Sequence, residues 1–142
     1  VIVPVALADN GLRWHVRAYD RQRKRFSDFV LTRITRVKPL DEAAKAHERM
    51  EADEQWNRRI DLHLVPHPGL KHPEAVIADY GMRDGSLTLN VSAALAGYAL
   101  QRWAVDCSSA HKLDCARHHL WLADPTVLAG VDSAVMAPGF GS

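Results

Sequence analysis

The chain has 142 residues and a mass of 15.8 kDa, and it is 47% hydrophobic and 25% charged, the composition of a globular protein of one ordinary or two small domains. No apolar run approaches the roughly 20 residues that a membrane-spanning helix needs, and no secretory signal is evident, so a cytoplasmic protein is expected. The net charge of +1 hides an asymmetry: residues 12–38 hold nine Lys/Arg against two acids (+7), and the remainder of the chain carries −6. A segment that basic attracts anions, of which phosphate is the commonest in biology.

In chain order, Val1 to Leu7 reads as a β-branched strand, and Pro4 marks it as an edge or a bulge because proline cannot donate to a ladder. The chain opens inside this strand, so a further N-terminal segment is expected. Asp9-Asn10-Gly11 is a turn signal. Leu12 to Tyr19 alternates, with Trp14, Val16 and Ala18 on one face and Arg13, His15, Arg17 and Tyr19 on the other. After a polar turn over 20–24, further strands are expected at Arg25 to Thr32 and at Ile34 to Lys38. Short strands in such close succession suggest a small barrel or a sheet folded on itself. Residues 1–40 are therefore expected to form one unit.

The stretch DEAAKAHERMEADEQW has few apolar positions, and residues 41–58 read as an exposed, partly helical linker. A second unit is expected over 59–123. IDLHLV alternates as a strand, LKHPEAVIADYGM reads as a helix closed by Gly81, and SLTLNV is a strand. SAALAGYALQRWAVD is an amphipathic helix with Ser92 at its cap and Leu95, Tyr98, Ala99, Arg102 and Trp103 at helical spacing; HHLWLA is a last strand. The Gly/Ala/Pro-rich tail, 124–142, shows no periodicity and is expected to wrap a partner subunit or to be disordered.

No enzyme signature is present: there is no G-x-S-x-G, no phosphate-binding glycine loop, no H-E-x-x-H and no G-x-G-x-x-G. A catalytic role and a cofactor are therefore not expected. Cys107 and Cys115 are expected to be free thiols, since C-x7-C is not a zinc spacing. His63, His67 and His72, like His111, His118 and His119, are explained by ordinary loop and strand positions, and neighbouring His118 and His119 would face opposite ways. No metal site is expected.

The basic hairpin is the candidate site. Arginine presents a rigid fork of donors that matches phosphate oxygens, and tyrosine or histidine adds a stacking surface. Two readings stand side by side. In one, the shared face of Arg13, His15, Arg17 and Tyr19, with Arg33 nearby, cradles a nucleotide or a nucleic-acid end. In the other, these cations pair with Asp41, Glu42, Glu48, Glu51, Asp53 and Glu54.

The framework G-L-R-W-H-V-R-A-Y-D, followed by F-x-D-F-V-L-T-R-I, resembles the WYL domain of bacterial transcription regulators, a small Sm-like β-barrel. Trp14-His15-Val16 stands at the name-giving triplet, as in the subgroup that controls phage-defence loci. P-H-P-G-L at 66–70, D-Y-G-M at 79–82 and the helix from Ala93 resemble the C-terminal extension often called WCX. The resemblance covers about residues 1 to 123 and implies an α+β protein, a Sm-like barrel followed by a compact α/β unit. It further implies a homodimer, and operator DNA bound through a winged helix-turn-helix outside this sequence. The implied effector is a nucleotide or single-stranded nucleic acid in a pocket of His15, Arg17, Tyr19 and Arg33, with Phe29 as packing support. Ser27 stands where many relatives carry arginine, with Arg25 and Arg13 as candidate replacements. Ser92 and Ala93 likewise stand where relatives often carry arginine. Two other readings are a structural dimerisation module with sequence-indifferent nucleic-acid binding, and, less favoured, an enzyme acting on nucleotides.

Overall fold

The turn chemistry at residues 9–13 starts the fold. In the computed structural model, which describes residues 1–142, Asp9 Oδ1 accepts the Gly11 N–H at 2.8 Å, and Asn10 Oδ1 accepts those of Leu12 and Arg13 at 2.9 Å. Gly11 takes φ 84°, a left-handed conformation that glycine adopts without steric cost. The turn joins β1 (Ile2–Asp9) to β2 (Trp14–Asp20), and β2 pairs in turn with β3 (Arg25–Val30), both antiparallel. Pro4 lies on the edge strand, and the register shifts between Pro4 and Ala6, so both readings of this proline hold. The second turn is held by Asp20 Oδ1, which accepts from Gln22 N at 2.9 Å and Arg23 N at 3.2 Å.

The sheet has the order β1-β2-β3 and is open at both edges. The strand expected at Ile34 to Lys38 is not formed. Instead Leu31–Arg33 winds as a 3-10 turn, closed by Ile34 N–H on Leu31 O at 3.2 Å, and this ends the ladder. Beyond it the apolar residues Ile34 and Val37 are three apart, which cannot keep one face of a strand. A closed barrel is thus absent from these residues. The acidic stretch also departs from its expected exposure. It forms 3-10 turns at Ala46–Glu48 and Met50–Ala52 and a short helix, α1 (Glu54–Asn57), with Glu48 2% and Asp53 1% exposed. It belongs to the first of two compact units, Val1–Asn57 and Arg58–Ser142.

In the second unit, β4 (Arg59–Pro66) buries Ile60, Leu62 and Leu64 on alternate positions. It is flanked by β5 (Leu87–Ser92) and by β7 (Leu120–Leu122), both antiparallel to it. A two-residue strand, β6 (Val105–Asp106), runs parallel to β7 and completes the order β5-β4-β7-β6. It is too short for any sequence period to announce. α2 (Pro73–Asp79) starts on its proline and ends where Gly81 turns left-handed at φ 59°.

α3 (Ala93–Arg102) starts where expected but ends short of the expected Asp106, leaving Val105–Asp106 to the strand β6, and it buries a different face. Ala93, Ala94, Ala96, Gly97 and Leu100 point inward, while Leu95, Tyr98 and Ala99 are only partly covered. The reason is close approach. Gly97 N donates to Ser133 Oγ at 2.9 Å, and Ser133 Oγ donates to Ala93 O at 2.7 Å. The small residues admit a second chain segment where bulky ones would hold it off. That segment is the tail, which is ordered within its own unit: 3-10 turns Pro125–Leu128 and Asp132–Met136 bring Leu128, Val131, Ala134 and Ala137 into the core.

Candidate functional site

Alternation along β2 places His15, Arg17 and Tyr19 on one face, and the structure shows what covers it. His15 and Arg17 are 4% and 6% exposed, and Tyr19 is half-buried. Arg17 Nε and Nη2 donate to the two oxygens of Asp53 at 2.6 and 2.9 Å, and Nη1 donates to Asp28 at 3.1 Å. Asp53 Oδ1 also accepts the Trp56 N–H at 3.1 Å, so one carboxylate both starts α1 and grips the arginine. The ring of Tyr19 meets His47 edge-on at 5.4 Å. Arg21, next on the same face, donates to both oxygens of Glu48 at 2.8 and 3.1 Å and to Glu42 at 2.6 Å. The fork geometry that suits phosphate suits carboxylate equally, and here carboxylates occupy it.

The electrostatics follow from that pairing. Burial opposes the Arg17 charge, but the hydrogen bonds and charges of Asp53 and Asp28 outweigh it and hold its pKa above the ordinary value. Arg21 is likewise raised, through its hydrogen bonds to Glu48 and Glu42. Glu48 is lowered from 4.5 to about 2, first by the hydrogen bond from Arg21 and next by the Lys45 N–H at 2.8 Å.

The other candidate residues do not converge on this face. Directly opposed residues of an antiparallel pair share a face. Ser27 is opposite Ala18, Phe29 opposite Val16 and Arg25 opposite Asp20, so all three lie on the far side of the sheet from Arg17. Arg13 precedes β2 and Arg33 follows β3 at one end of the hairpin, while Arg25 stands at the other. About 3.3 Å per residue over β2 separates those ends by roughly 20 Å. Arg13, Arg25 and Arg33 are exposed.

The second unit holds a buried polar cluster that sequence reasoning missed. Gly69 N donates to His67 Nδ1 at 3.0 Å, so that nitrogen is the acceptor and the proton sits on Nε2, which lies 3.0 Å from Asp106 Oδ2. Asp106 also accepts from Ser108 N and Oγ and from Leu113 N. Burial alone would raise this carboxyl, but these donors, Ser108 first, hold it below the usual range. Although the residues are Ser, His and Asp, the set is not a catalytic triad. Serine and histidine donate to the same carboxylate, so no base faces the serine. Cys107 beside them is pushed up to about 12 by burial and by the Asp106 charge, which makes it a poor nucleophile. The cluster ties the loop after β4 to the loop after β6. Its only sequence signal is the histidine between two prolines in P-H-P-G-L.

No group of three or more His, Cys, Asp or Glu is placed to hold a metal ion. No helix is long and apolar enough to cross a membrane.

A mixed sheet with one face packed under a small-residue helix defines an α+β scaffold, and residues 59–128 match the family described as the BrxR transcriptional regulator C-terminal dimerization domain. The chain is also similar to the DNA-binding transcriptional repressor CapW of Stenotrophomonas maltophilia, 33% identical over 120 residues that cover 83% of this chain and 40% of that protein. With CapW of Pseudomonas aeruginosa it is 37% identical over 102 residues, 70% of this chain and 33% of the relative. CapW of Escherichia coli shares 36% over 101 residues. The chain is thus similar to part of these repressors and spans 40% or less of their length.

Proposed function

We propose that this chain is the dimerising and effector-sensing region of a DNA-binding transcriptional repressor, and that it acts as a homodimer. Operator DNA would be read by a region outside these residues. The match of 59–128 to a dimerization domain family carries this reading. The second unit, WCX-like, joins two copies. The first, WYL-like, is the sensor, and the free edges of β1 and β3 would let further strands complete a Sm-like barrel.

The effector is a nucleotide or single-stranded nucleic acid that competes with Asp53 and Asp28 for the Arg17 fork, with His15 and Tyr19 beside it and Arg33 at the rim. The carboxylate of Asp53 holds the place a phosphate would take. Effector binding is then coupled to release of the segment around residues 42–53, a discrete change able to shift a two-state equilibrium of the dimer. A second reading is favoured by the complete pairing of Arg17 and Arg21: the hairpin is braced by its acids and the region is purely structural.

Binding of short single-stranded DNA and cyclic nucleotides to wild type, Arg17→Ala and Asp28→Asn separates the two. Sensing requires saturable binding that weakens in Arg17→Ala and strengthens in Asp28→Asn, where one competing charge is gone. Equal affinity for all three proteins leaves the structural reading. Sedimentation equilibrium of the chain should return twice the 15.8 kDa protomer mass; a monomer at micromolar concentration would end the dimerisation proposal.

A further inference from the structure

The second unit has a cleft with what the hairpin face lacks, namely uncommitted cations beside an exposed ring. It is an open cleft of about 410 Å³, lined by Tyr80, Arg102, Trp103, Ala104, Arg117 and His119. That volume lies in the ~300–1,000 Å³ range of small-molecule sites. No carboxylate is among the lining residues, and neither arginine makes an ion pair or a side-chain hydrogen bond, unlike Arg17 and Arg21 in the first unit.

Trp103 is 39% exposed. It leans on Tyr80 with ring centroids 5.7 Å apart at 47°, which leaves indole surface open to a further planar group. The wall between Trp103 and the strand is built rigidly. Trp103 caps α3 with its N–H on Ala99 O, and Ala104 then turns left-handed at φ 50°, a conformation unusual for a residue with a Cβ. His118 Nδ1 donates to Ala104 O at 2.8 Å and fixes that turn. Strained backbone held by its surroundings beside a cleft is a recurrent feature of binding sites.

We infer that this cleft binds a nucleoside phosphate, with Arg102 and Arg117 taking the phosphate, His119 at its edge and the base stacked on Trp103. Guanidinium forks pair with phosphate oxygens, and an indole face accepts any base, so the set discriminates a nucleotide from either half alone. The inference does not rest on the effector reading of the first unit, since it uses none of the same residues.

Isothermal titration of the full chain with ADP, adenosine and inorganic phosphate tests it. ADP should bind saturably and more tightly than either fragment. Arg102→Ala/Arg117→Ala should weaken ADP by on the order of tenfold or more, the usual cost of lost charge-assisted hydrogen bonds. Trp103→Ala should bring ADP down to the affinity of phosphate, and Arg17→Ala should leave it unchanged. The arginines and Trp103 are exposed, so these variants should fold normally. ADP binding no better than phosphate, or unaltered in the double variant, overturns the proposal. So does loss that appears only in Arg17→Ala, which would move the ligand to the hairpin. A double variant that becomes monomeric in sedimentation makes the cleft a contact between copies and overturns it as well.

Discussion

Arg17 shows how the chemistry of one residue can be legible in the sequence while its choice between two kinds of anion is not. A guanidinium in a half-buried strand must find anions, because an unpaired charge removed from water costs far more than the strand gains. Asp53 and Asp28 supply them within 3.1 Å. Removing one member strands the other in the interior. Asp53→Ala is therefore expected to cost about 3–5 kcal/mol in urea unfolding of the first unit. A loss under 1 kcal/mol would mean that solvent reaches Arg17 after all. Gly97 is the complementary case, in which the constraint is space. A Cβ there would stand 1.8 Å from Ser133 O and 2.5 Å from its carbonyl carbon, both backbone atoms that cannot step aside cheaply. Gly97→Ala is expected to destabilise the second unit by about 1–3 kcal/mol despite the better helix propensity of alanine. A stabilised variant would show that the tail is not packed on α3.

Among the elements, the acidic stretch 41–57 is the most informative. Its composition suggests solvation, and its short 3-10 turns show that it has little helical tendency of its own. It is ordered because β2 and the turn after it offer cations at Arg17 and Arg21 and a ring at Tyr19, and the stretch returns Asp53, Glu48 and His47 to meet them. Such an element depends on its carboxylates being ionised. Glu48 is depressed from 4.5 to about 2, so its contribution is complete above pH 4.5 and is lost as the pH falls toward 2. The segment is expected to loosen across that acid window, and high salt should weaken the effect only in part, because Glu48 is buried while its partner Arg21 is partly exposed. α3 follows the opposite logic: its amphipathic pattern predicts a helix but not the buried face, since the alanines and glycine that look neutral are the ones that fit under the tail.

At the scale of the whole chain, the two units are held by different forces. The buried apolar cluster runs from Ile60 to Ala137 and lies wholly in the second unit, while the first buries only the apolar residues Ala8, Val16 and Ala18, alongside His15, Arg17, Asp20, Glu48 and Asp53. Charge is balanced unit by unit: residues 1–57 carry eleven Lys/Arg against nine acids and residues 58–142 seven against eight. The +7 excess of the hairpin is thus largely neutralised within its own unit. Hydrophobic burial is insensitive to protonation, whereas ion pairs are not. Amide exchange compared at pH 7 and pH 3 should show protection falling at Val16–Ala18 and persisting at Leu62–Leu64. Equal loss in both units would place the acid-labile groups elsewhere.

The sequence by itself determined the elements that depend on nearest neighbours. The Asp9-Asn10-Gly11 turn, the alternation of β2 and β4, the α2 stop at Gly81 and the start of α3 at Ala93 all arise from local backbone and side-chain chemistry. It also carried the resemblance to transcription regulators, since motifs are strings. Only the tertiary structure decided which carboxylates meet Arg17, which face of α3 is inside and whether the tail is ordered. It also decided that Arg102, Trp103, Arg117 and His119 share a cleft. These contacts join residues far apart in the chain, and their energies come from burial and pairing that no local window contains.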